Sequence, residues 1–112
     1  MKISHISLGV GDLDRSEKFY RDVLGLPVER NGSDAFVRWP DFLLVLSENP
    51  PAGRGKMHFG FRVESKAEVD AWAARLRTSG AQIVAGPATH GETHQLFLLD
   101  PDDYEIEIYA ES

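Results

Sequence analysis

Residues 3–10 alternate, with Ile6, Leu8 and Val10 on one face and His5, Ser7 and Gly9 on the other, and a period of two predicts a half-buried strand. The period then changes. Asp12 is placed to cap a helix in which Leu13, Phe19, Tyr20, Val23 and Leu24 recur at helical spacing, and Gly25 stands where a left-handed residue would end it. Short apolar-rich runs predict three strands at about 26–31, 34–39 and 42–48. Asn49-Pro50-Pro51-Ala52-Gly53-Arg54-Gly55 then interrupts all periodicity. Beyond it the same order returns. A strand at 57–63 leads to Ser65-Lys66-Ala67-Glu68, the spacing of a capping box in which the two side chains satisfy orphan N–H groups reciprocally. Val69, Trp72, Ala73 and Leu76 form the apolar stripe of that helix, and Gly80 ends it. Strands follow near 81–86, 93–99 and 104–110, separated by Gly86-Pro87 and by Pro101-Asp102-Asp103.

The chain thus repeats itself. His5-Ile6-Ser7-Leu8-Gly9-Val10 and His58-Phe59-Gly60-Phe61-Arg62-Val63 share H-x-x-x-x-V, and Trp39-Pro40-Asp41 precedes an apolar strand as Asp100-Pro101-Asp102 does. A repeat this long predicts two supersecondary units that bury their apolar faces together. The expectation is an α+β fold of two βαβββ modules, 1–48 and 56–112, joined by the Pro/Gly linker 49–55 into one domain over 1–112, with a curved mixed sheet around a cleft. Ile6/Leu8/Val10, Phe59/Phe61/Val63 and Ile106/Ile108/Ala110 should pack on the helices. The opposite faces, His5/Ser7, His58/Gly60 and Glu105/Glu107/Tyr109, then line the concave side. Leu96 and Leu98 fall on the helix side, which leaves Gln95 and Phe97 in the cleft.

A chain of 112 residues suits a single domain with a sizeable core. Eighteen acidic against twelve basic residues give a net charge of −6, so the phosphate-neutralising surface of a nucleic-acid binder is missing, as is the basic patch of a membrane-surface protein. There is no cysteine, hence no disulfide framework and no thiolate for zinc or catalysis. With no long apolar run, the reading is a cytoplasmic protein.

Two imidazoles and a carboxylate on separate strands facing one concavity make the 2-His-1-carboxylate arrangement, which leaves coordination positions open and marks a catalytic rather than a structural metal. Each of these residues alone would be an ordinary polar strand residue. The twin modules, the initial His5 and His58, and the ending Asp100-Pro101-Asp102-Asp103-Tyr104-Glu105-Ile106-Glu107 resemble the vicinal oxygen chelate superfamily of glyoxalases, bleomycin resistance proteins, fosfomycin-resistance transferases and extradiol dioxygenases. Asp103 stands where the family usually has glycine, and Asp tolerates a left-handed turn position. The resemblance implies that His5, His58 and Glu107 hold a divalent ion, Fe(II) or Mn(II), with Zn or Ni as alternatives. It also implies a small-molecule substrate with two adjacent oxygens, and a homodimer with shared sites.

Subclass turns on single residues. Glyoxalases of the family typically add a fourth ligand on the last strand of the first module. Aligning Pro40 with Pro101, with one gap, puts Val45 opposite Glu107, and Glu48 falls on the other face as a solvated strand-end charge. This counts against a four-ligand glyoxalase I. Fosfomycin transferases need cations for a phosphonate, yet the expected lining of Ser7, Phe36, Leu43, Val45, Gln95, Phe97 and Tyr109 has none, and Arg38 and Arg62 lie nearer the rim. A largely apolar, aromatic or ketone-bearing substrate is expected. Against the extradiol dioxygenase signature His90 has the right spacing, but Phe97 occupies the tyrosine place and cannot donate a hydrogen bond. His90 is either a proton-transfer residue or an exposed loop residue, and His94 should lie at the surface. The resulting expectation is a metal-dependent isomerase, lyase or dioxygenase in which Glu107, Tyr109, Gln95 and His90 carry the chemistry and Ser7, Phe36, Leu43, Val45 and Phe97 bind substrate. The alternative is a metal-free protein that sequesters an aromatic antibiotic or metabolite.

Overall fold

The structure is a computed structural model that describes residues 1–111. The chain divides into two compact units between Ala52 and Gly53, within the Pro/Gly stretch, and each unit carries one four-stranded mixed sheet.

In the first unit the elements are β1 (His5–Val10), α1 (Leu13–Lys18), β2 (Val28–Asn31), β3 (Asp34–Trp39) and β4 (Phe42–Glu48). Spatial order is β1-β4-β3-β2, with β1 parallel to β4 and the other pairs antiparallel. Alternation decides which side is dry: Leu8, Val10, Ala35, Val37, Leu44 and Leu46 are buried together with Leu13, Tyr20 and Leu24. The Asp12 carboxylate accepts from the Arg15 N–H at 3.1 Å and so caps α1. From Phe19 to Val23 the helix widens to a π-turn, and Leu26 N–H then bonds the Tyr20 carbonyl at 3.0 Å. Leu26 therefore finishes the helix, which is why the strand expected from 26 starts at Val28. On the outer side Arg30 of β2 binds Asp14 and Glu17 of α1.

The second unit repeats this plan with β5 (His58–Arg62), α2 (Lys66–Ser79), β6 (Gln82–His90), β7 (Thr93–Leu99) and β8 (Glu105–Glu111), in the order β5-β8-β7-β6. Val69, Ala73 and Leu76 of α2 pack with Leu96, Leu98, Ile106, Ile108 and Ala110 in the core. Trp72 departs from the expected stripe: it is half-buried, and Arg75 stacks on its ring at 4.1 Å. Half of the capping box is also corrected. Ser65 Oγ accepts from Glu68 N–H, but the Glu68 carboxylate takes the N–H of Glu64, one residue before the cap.

β6 was expected to stop near residue 86 and instead runs to His90. Pro87 is tolerated because β6 is an edge strand, and the ladder to β7 shifts register on both sides of Ala85. Gly86 has φ +76° and lies so close to β7 that a Cβ would meet the Gln95 carbonyl oxygen at 2.5 Å. His90 is accordingly a strand residue paired with Thr93, not a loop residue. Among the described residues no helix is long and apolar enough to cross a membrane.

Candidate metal and substrate site

The second unit concentrates the chemistry. β5 and β8 run parallel with His58 opposite Glu105 and Gly60 opposite Glu107, so alternate residues of both strands share the face away from α2. His58 Nε2 and Glu107 Oε1 stand 3.8 Å apart. The imidazole is 58% exposed and the carboxylate 19%, a pair reachable from solvent and free of deep burial. Gly60 makes room between them: a Cβ there would come within 3.3 Å of Glu107 Cβ, the Glu107 carbonyl oxygen and Tyr109 Cε1. A cavity of about 390 Å³ opens over this pair, and Thr93, Gln95, Tyr109 and Glu111 contribute to its wall. Phe97 is the cross-strand partner of Glu107 and meets the His58 ring edge-on, with centroids 5.9 Å apart.

This donor pair fits a divalent ion. Two ligands each about 2.1 Å from one ion lie about 3 Å apart at a right angle and about 4.2 Å apart when opposed, and the observed separation falls between. Neither side chain has a hydrogen-bonding partner among the described residues. No three potential ligands gather into one group among the described residues, so the second unit offers two donors and His5 stands on β1 of the first.

The first unit presents the same face with other chemistry. Its register pairs Ser7 with Val45 and Val45 with Phe36, where the second pairs Gly60 with Glu107 and Glu107 with Phe97. Val45 is thus the counterpart of Glu107 in the ladder itself. His5 is exposed and pairs with Leu43, and Glu48 is exposed at the end of β4. The expected apolar lining is concentrated here, in Phe36, Leu43 and Val45. In the second unit the cavity wall is mostly polar, with Thr93, Gln95 and Tyr109 beside His58, Glu107 and Glu111. Thr93 was not expected there, although the alternation Thr93/Gln95/Phe97 carries it onto the face, as Glu107/Tyr109/Glu111 carries Glu111.

The two remaining histidines part company. His90 is exposed, and its pairing with Thr93 puts it on the cavity side of the sheet. His94 is not a surface residue but a strut on the helix side: its Nδ1 is 2.7 Å from Thr89 Oγ1 and its Nε2 is 2.8 Å from Asp70 Oδ1 of α2. With its side chain 13% exposed, it ties helix to sheet.

Residues 2–108 match the family model of the Glyoxalase/Bleomycin resistance protein/Dioxygenase superfamily. The chain is 31% identical to a lactoylglutathione lyase of Haemophilus influenzae, over 96% of this chain and 90% of that one. It is 28% identical to a manganese-dependent 2,3-dihydroxybiphenyl 1,2-dioxygenase of Geobacillus genomosp. 3, of which it spans 36%. Among solved structures, a glyoxalase/bleomycin resistance protein from Albidiferax ferrireducens superposes with a TM-score of 0.82 at 28% identity, over 98% of both chains. Fold, register and sequence agree, and the chain belongs to the glyoxalase/bleomycin resistance protein/dioxygenase superfamily.

Proposed function

We propose that this chain is a metal-dependent enzyme acting on a small molecule with two adjacent oxygens, in which His5, His58 and Glu107 hold Fe(II) or Mn(II). The observation that carries the reading is the approach of His58 Nε2 to Glu107 Oε1 at 3.8 Å over the gap left by Gly60, facing an open cavity. Relatives named as a lyase and as a manganese-dependent dioxygenase support it. The ion would supply Lewis acidity and a template for the two substrate oxygens. The chain's own groups do the rest. The Gln95 amide and Tyr109 phenol, both on the cavity wall, orient the substrate by hydrogen bonds. His90, on the same side of the sheet, takes or returns a proton at its ring nitrogen. Phe97 and the Phe36/Leu43/Val45 face hold the apolar part. Val45 in place of a carboxylate favours a three-ligand site over a four-ligand one.

Metal analysis of untagged protein tests the reading. About one equivalent of transition metal per chain is expected, lost in His58→Ala and Glu107→Ala, with the apo protein still folded because strands supported by helices form the site. Absence of metal together with tight binding of an aromatic ligand would instead support a metal-free sequestering protein.

A further inference from the structure

A second cavity, of about 300 Å³, adjoins the first through a common wall residue, His58. Gly55, Lys56, Met57 and Glu105 complete its lining. Its charges are unequally committed. Arg54 stands 3.6 Å from Glu105, and on the other flank Arg62 stands 3.8 Å from Glu111, so both outer carboxylates already face a guanidinium. Lys56 has no ion-pair or hydrogen-bond partner among the described residues. Arg54 offsets Glu105, so Lys56 is the uncommitted charge in the wall of this cavity, on a chain of net charge −6. An ammonium kept beside a candidate metal ligand, on a surface that otherwise repels anions, selects for a negative group.

We infer that the Lys56 cavity is a subsite for a carboxylate on the substrate, remote from the two oxygens that face His58 and Glu107. The substrate class is therefore an anionic one, such as a hydroxylated aromatic acid, and not a neutral ketone or catechol. This rests on the metal-dependent reading above and deepens it. Lys56 acts on binding through charge. Its ammonium is exposed, so the expected effect is that of a screened surface pair and not of a buried one.

The test compares 3,4-dihydroxybenzoate with its neutral methyl ester, titrated anaerobically into manganese-loaded protein and followed by calorimetry. Wild type should bind the acid about fivefold more tightly than the ester, and the preference should shrink as salt is raised. Lys56→Met keeps the aliphatic stem and removes the charge. It should abolish the preference while leaving ester affinity and manganese content unchanged. An acid-to-ester ratio that survives Lys56→Met, or binding of neither probe, overturns the inference. The metal-dependent reading fails separately, when untagged protein holds no metal or when Glu107→Gln retains manganese and binds both probes as wild type does.

Discussion

Gly60 works by what it lacks. A methyl group there would press on Glu107 and Tyr109 at 3.3 Å, so Gly60→Ala should tilt the carboxylate and weaken metal binding about tenfold, the lower end of what disturbing a ligand's supports costs. Stability should change by no more than about 1 kcal/mol, because the stiffer alanine backbone and the crowding at 3.3 Å act in opposite directions. Chelator competition and urea unfolding measure the two effects, and unchanged metal affinity would mean that Glu107 does not need the space. Phe97 makes a second residue-level prediction. It lies across from Glu107 and against His58, yet offers only an apolar edge where a hydroxyl would serve ring cleavage. Iron-loaded protein should show little turnover of simple catechols, and Phe97→Tyr should raise it. Wild-type rates near the ordinary enzyme value of about 10 s⁻¹ would show that no hydroxyl is required.

Among the elements, α2 is held to its sheet by more than its apolar stripe. His94 spends both ring nitrogens on Thr89 and Asp70, a contact on the face opposite the cavity. His94→Ala should lower unfolding stability by about 1–2 kcal/mol, since two hydrogen bonds at a largely buried ring are lost, with no change in metal content. A loss of metal would show that the strut also positions β7. The same strand illustrates how far elements are legible from the chain. β3, β4 and β7 match their expected bounds, because alternation is a local signal. β6 does not. Gly86-Pro87 reads as a break, and only an edge position with a bulge lets the ladder continue to His90. The π-turn at Phe19–Val23 was equally hidden, because inserting one residue in a turn leaves the apolar spacing nearly unchanged.

For the whole molecule the decisive measurement concerns chain sharing. His5 belongs to the first unit and His58 and Glu107 to the second, and in a homodimer with shared sites His5 would serve the partner's second module. Mixing His5→Ala with Glu107→Ala protein should then restore metal to about a quarter of the sites, because half the dimers are mixed and each mixed dimer has one intact site. Recovery of none, with mixed dimers present, would assign the ligands to a single chain.

The faces of the strands, the positions of both histidines and Glu107, and the correspondence of Val45 with Glu107 were all readable from the chain, since side-chain alternation and an internal repeat are properties of sequence order. The polar wall of the second unit, the Arg54–Glu105 pair that leaves Lys56 uncommitted, and the His94 strut were decided by tertiary structure alone. Each depends on which strands lie side by side and in what register. Sheet order and register join residues far apart along the chain, and no local period specifies them.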